Sequence, residues 1–155
     1  MGGGEDLKAF LALSAHVTGY STFVLLGTGQ ADDYLSAVRR VVGDATVAEL
    51  LQTWGRIEAA GHGDRDKLLR RDLLSHAKLG PIVRRIMKMW YVGTWYELDT
   101  DWQEEFGILE NNTTFVVSAT AYTEGLLWPT IGANPSGAKP FGYGIWATPP
   151  RVGLD

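Results

Sequence analysis

Cysteine is absent from the 155-residue chain. That removes disulfides, thiolate metal sites, a cysteine nucleophile and C-x-x-C-H haem attachment, but it fits cytoplasm and periplasm alike. Histidine is scarce, at three residues. His16, His62 and His76 form no helix-spaced pair with a carboxylate of the kind zinc enzymes use. No G-x-S-x-G elbow anchors a hydrolase triad. Basic residues are outnumbered, 14 Lys and Arg against 18 Asp and Glu, for a net charge of -4. A dedicated nucleic-acid binder needs a basic face for phosphate contacts, so that class is disfavoured. Long apolar runs are also missing. "TFVLLG" and "GPIVRRIMKMW" are shorter, or more interrupted by charge, than the roughly 20 residues of a spanning helix. The opening "MGGGEDL" carries neither the basic start nor the apolar stretch of an export signal.

What is present suggests one domain. A chain of this size can bury roughly 70% of the surface its unfolded form exposes, enough for a single core without staples. Leu7, Phe10, Leu11, Ser14 and Val17 recur at helical spacing behind acidic residues that suit a helix start. A second helix carries Tyr34, Leu35, Val38, Val41 and Val42, capped by Asp32 or Asp33 and ended by Gly43. A third carries Val47, Leu50, Leu51 and Trp54, with Asp44 or Thr46 as its cap. Mixed charges and leucines between Arg65 and Lys78 predict an exposed helix with one buried face. Pro81 fits the first turn of the next helix, whose stripe is Ile82, Ile86, Met89, Trp90 and Gly93, with Gly93 admitting another backbone. "TTFVVS" reads as extended. Ser118 or Thr120 can cap a short helix that Pro129 limits. From Gly132 on, glycine and proline recur at coil density. The expected fold is mainly α: a single helical domain of about five to six helices over residues 1–131, with an extended Gly/Pro/aromatic arm over 132–155.

Two constellations tempt a chemical reading. "VLLGTGQADDYL" has an apolar run before Gly27 and Gly29, but Asp32 holds the place of the third glycine of a dinucleotide fingerprint and would face a pyrophosphate. It reads better as a turn before a helix. Glu97, Asp99, Asp101, Glu104 and Glu105 fit no EF-hand spacing and read as a solvated acidic loop. The sequons in "ENNTT" matter only in a eukaryotic secretory pathway.

The aromatic set remains: Trp90, Tyr91, Trp95, Tyr96, Tyr122, Trp128, Phe141, Tyr143 and Trp146. Aromatics in a helix pack in cores, whereas those on a Gly-Pro segment gain order by docking, as Trp and Tyr do at interfaces. Core is the stronger reading for Trp90 and Tyr91, and docking for the arm.

"IMKMWYVGTWYEL" followed by "VVSATAYTEGLLWPTIGANPSGAKPFGYGIWATPP" resembles the small subunit of membrane-associated FAD-dependent sorbitol dehydrogenases, related to the small subunits of fructose and glucose dehydrogenase complexes. The shared elements are Trp90-Tyr91-x-Gly93, the block from Tyr122 to Trp128, and Tyr143-Gly144-x-Trp146 before Pro149-Pro150. The resemblance runs from about Pro81 to Pro150. It implies a helical, non-catalytic subunit that binds no cofactor itself. Its implied partner is a large FAD-bearing subunit of the glucose-methanol-choline (GMC) type that oxidises a sugar or polyol, with a multihaem cytochrome, where present, passing electrons to quinone. On this reading the partner interface is Trp90, Tyr91, Trp95, Tyr122, Trp128, Phe141, Tyr143, Trp146, Pro149 and Pro150. The family carries a twin-arginine export signal, which implies a bacterial periplasmic location. Its absence here fits a start in which Met1 and three glycines replace a leader, or a cytoplasmic protein if Met1 is native. Two rivals remain: a sugar or polyol dehydrogenase in its own right, and a stand-alone carbohydrate-binding module whose tryptophans stack on sugar rings.

Overall fold

The computed structural model describes residues 3–133. They form a mainly helical single domain built around α1 (Gly3–Thr18), α3 (Ala31–Val42), α4 (Asp44–Ala59) and α6 (Leu79–Val92). Shorter elements complete it: α2 (Thr22–Gly27), α5 (Arg65–Leu68), α7 (Thr100–Phe106), α8 (Ala119–Glu124), α9 (Leu127–Ile131), and the strands β1 (Thr94–Trp95) and β2 (Phe115–Val116). The strands pair antiparallel, Thr94 opposite Val116 and Trp95 opposite Phe115.

The core forms where the helical stripes meet. Tyr34, Leu35, Val38, Val41 and Val42 of α3 and Val47, Leu50, Leu51, Trp54 and Ile57 of α4 are all buried. Gly43, at φ 89°, reverses the chain between these helices with a single residue, a conformation that side chains disfavour. Neither Asp32 nor Asp33 caps α3. That helix starts at Ala31, so both carboxylates sit in its first turn, where they favour the dipole without closing a cap. α6 runs through the centre, touching α1, α3, β1 and α9. Ile82, Val83, Ile86, Met89 and Trp90 are buried along it, and Pro81 lies in its first turn as the sequence predicts.

Three expectations are corrected. The helix from Arg65 to Lys78 does not run through: after α5 the backbone widens into a π-turn over Leu69–Leu74, closed by the Ser75 amide on the Arg70 carbonyl at 3.0 Å. Widening lets Leu69 and Leu73 both reach the core. It also brings the Leu74 carbonyl so near α6 that a Cβ at Gly80 would lie 2.5 Å from it. His76 Nδ1 then accepts the Lys78 and Leu79 amides, both at 3.1 Å, and starts α6. The acidic "ELDTDWQEE" is not a loop throughout, because α7 forms there. Trp102 is buried beneath it, its indole N–H donating to the Lys78 carbonyl at 2.9 Å. Pro129 does not limit α8, which ends where Gly125 turns extended; Pro129 occupies the first turn of α9 instead.

Candidate docking surface

The C-terminal elements are fastened to α6 through backbone. A Cβ at Gly93, which has φ +70°, would lie 2.6 Å from the Ala121 carbonyl oxygen, and one at Gly125 would lie 2.5 Å from that of Tyr91. The close approach expected at Gly93 is therefore present, with α8 as the approaching element. It permits two long-range main-chain bonds at 2.9 Å, Val117 N–H to the Gly93 carbonyl and Leu126 N–H to the Trp90 carbonyl. Trp90's last-turn carbonyl is thus satisfied by a distant segment.

The residues that flank α2 are tied to α9 and to the start of α8. Just before α2, the Tyr20 hydroxyl bonds Thr130 of α9 at 2.8 Å. Just after it, buried Gln30 donates to Thr120 at 3.2 Å and accepts from Ser118 at 3.1 Å. Ser118 also caps α8, accepting the Ala121 amide at 3.1 Å.

These short helices leave large apolar side chains in water. Leu25 is buried, but Phe23 is 84% exposed and Leu26 54%, with Val24 also exposed. On α8 and α9, Ile131 is 60% exposed and Tyr122 46%, with Leu127 exposed as well. Residues 21–31 and 125–133 contain no charged side chain.

The residues assigned to the interface from sequence separate into three groups. Trp90 and Trp95, at 1% and 0% exposure, are core residues. Trp90 stacks on Phe10 at 6.2 Å and takes the edge of Tyr34 at 4.7 Å, so its ring is spent inside the chain and cannot meet a partner. The interface role is corrected for both. Tyr91, Tyr122 and Trp128 lie around the surface. The half-buried Tyr91 donates to the Thr18 carbonyl at 3.1 Å. Its phenol is held above its ordinary value, mainly by burial and then by Tyr20. Trp128 donates to the Tyr122 carbonyl at 2.8 Å, and the two rings meet edge to face at 5.5 Å. Phe141, Tyr143, Trp146, Pro149 and Pro150, with nearly all of the arm, lie outside the described residues.

Sequence reasoning missed Phe23, Val24, Leu26, Leu127 and Ile131. The signal was there: a six-residue helix without a polar side chain after its first residue has no face to give to water. Reading "TFVLLG" only as the approach to a turn overlooked it.

The histidines are engaged separately. His16 Nε2 contacts Asp66 at 2.7 Å with its ring 5.5 Å from Trp54, His76 caps α6, and His62 is exposed. Among the described residues no three His, Asp or Glu side chains converge as metal ligands, and no helix is long and apolar enough to cross a membrane. An open polar cleft of about 470 Å³ lies between α4 and the π-turn, lined by Gln52, Thr53, Arg56 and His76 among others. Two ion pairs border it, Arg71 with Asp72 at 2.7 Å and Lys78 with the lining Glu49 at 2.9 Å. No protein-family model, curated protein or solved structure matches the chain.

Proposed function

We propose that this chain is the non-catalytic small subunit of an FAD-dependent sugar or polyol dehydrogenase, binding and stabilising a large GMC-type flavoprotein and assisting its maturation and export to the bacterial periplasm. The observation that carries the reading is the set of large apolar side chains left exposed on α2 and α9, two uncharged segments of which the second continues in sequence into the aromatic arm. Buried interface centres are depleted of charge and enriched in aromatic residues, and a contiguous apolar surface marks a place where another protein binds. Support also comes from the motifs at Trp90 to Gly93, Tyr122 to Trp128 and Tyr143 to Pro150. Flavin and catalytic base belong to the partner on this reading, and a multihaem cytochrome, where present, takes the electrons onward. This chain supplies contact area and holds the partner's fold.

The test is co-expression with a large GMC-type flavoprotein, tagging only this chain. A yellow complex that reduces dye with sugar or polyol, while the isolated chain does neither, is the expected result. A colourless preparation that captures no flavoprotein would overturn the proposal.

A further inference from the structure

One stripe of α6 is left unburied. Arg84, Met87, Lys88 and Tyr91 follow at spacings that place them on one face of the helix, about 10 Å from end to end. Two hollows open beside it, of about 460 and 210 Å³, and both are lined by Met87 and by Leu74 of the π-turn. Those shared walls make them one groove, which continues along Val17 of α1 and Leu69 and Arg70 of the π-turn. Two bonds tie α6 to the other walls: Arg84 donates to the Leu74 carbonyl at 2.8 Å, and Tyr91 to the Thr18 carbonyl at 3.1 Å.

Floor and rim differ in chemistry. Val17, Leu69, Leu74 and Met87 are apolar and buried or half-buried, whereas Arg70, Arg84 and Lys88 are exposed cations. Among the described residues none of the three cations is in an ion pair. Arg84 is held by a carbonyl, and the Lys88 ammonium lies 4.8 Å from the centre of the Tyr96 ring, contacts that orient a cation without neutralising it. Asp66, the one carboxylate lining the groove among the described residues, is taken by His16 at 2.7 Å. A chain of net charge -4 thus gathers three uncompensated positive charges around one apolar strip, a local field that selects for an anionic occupant.

We infer that this groove binds a short acidic segment of another protein, with the residue pattern acidic, apolar, acidic. In an extended backbone successive side chains point to opposite sides, so one apolar side chain can enter the floor while the carboxylates before and after it stand toward Arg70, Arg84 and Lys88. Three or four residues at roughly 3.3 Å each match the length of the stripe. An acyl chain fits less well, because the groove is open along its length and would leave one side of the chain in water; a peptide turns its polar backbone that way. A flat anionic membrane meets the cations but does not reach the apolar floor between them.

The test uses the isolated full chain, isotope-labelled for NMR, and a pentapeptide Glu-Glu-Leu-Glu-Glu with blocked ends, so its outcome does not depend on the flavoprotein reading. Titration should move the amide signals of Leu74, Met87 and Lys88 saturably, with half-saturation at about 1 mM or below. Replacing the leucine of the probe by serine, or its glutamates by lysines, should weaken binding fivefold or more. Arg70→Glu combined with Lys88→Glu should weaken it tenfold or more with the helical circular dichroism unchanged, since both side chains are exposed. Arg70→Lys combined with Lys88→Arg, which keeps the charge, should bind as the natural chain does. Absence of saturable shifts, equal binding of the lysine probe, or unchanged affinity after the double charge reversal would overturn the inference. So would capture by phosphatidylglycerol vesicles of a chain that ignores the peptide, which would make a membrane the occupant.

Discussion

Tyr34 illustrates what a single side chain contributes and what it withholds. Its ring fills the space against Trp90, but its buried hydroxyl finds no hydrogen-bond partner among the described residues. Burial, and then the carboxylates of Glu124 and Asp33, push the phenol well above its ordinary value of 10.0. A raised folded value means that the unfolded chain gives up its proton first. This group therefore leaves stability untouched below about pH 10 and lowers it as pH rises from there toward the folded value. Tyr34→Phe should raise stability by about 1 kcal/mol at neutral pH, because an unpaired buried hydroxyl is removed while the ring stays. It should also flatten the alkaline decline; urea midpoints at pH 7 and above pH 10 measure both. Gly93→Ala should act the other way. A left-handed φ and a carbonyl oxygen 2.6 Å from the new Cβ predict a loss of roughly 2–4 kcal/mol in urea unfolding. The role of Gly93 was legible in sequence because a glycine closing an apolar stripe adds no side chain to the core and leaves room there for a second backbone. The split between Trp90 and Tyr91 was less so, since which neighbour points inward depends on where α6 lies among its partners.

Among the elements, the long helices could be read directly, for periodic apolar residues have one natural way to be buried. The α5 to π-turn region could not. Its leucines fit a regular helix, and the wider turn goes with a close approach of its own Leu74 carbonyl to Gly80 of α6, a contact that no apolar period reveals. α2 was lost for a related reason: six residues are too few to show a period. Its exposed side makes a sharp prediction. Phe23→Asp should leave the thermal midpoint of the isolated chain nearly unchanged, because the side chain is already in water. In the co-expression experiment it should lower flavoprotein capture tenfold or more, about 1.4 kcal/mol, as expected when charge enters an apolar contact. Normal capture would move the docking surface elsewhere.

For the whole molecule, a mainly helical domain with large apolar side chains exposed on α2 and α9, followed in sequence by an aromatic segment, is what any account of function must use. The helical domain was evident from sequence. The candidate surface was only partly evident: Tyr91, Tyr122 and Trp128 were named from the sequence as interface residues, while Phe23, Leu26 and Ile131, the most exposed apolar side chains of α2 and α9, were not. If the arm engages the flavoprotein, Trp146→Ala should weaken the complex by about 2 kcal/mol or more, measured by titrating the purified subunits. Equal affinity would remove Trp146 as an anchor.

The Trp90 carbonyl in the last turn of α6, and that of Gly93 just after it, accept the amides of Leu126 and Val117. The central helix is therefore finished by a segment made more than twenty residues after it. In native-state hydrogen exchange, Val117 and Leu126 should open together with the last turn of α6 as one cooperative unit, not as part of a fraying periphery. On the ribosome the same bonds set an order of events: the end of the central helix stays unsealed until residue 126 has emerged, so α6 and its fastening are completed almost as the arm begins to appear.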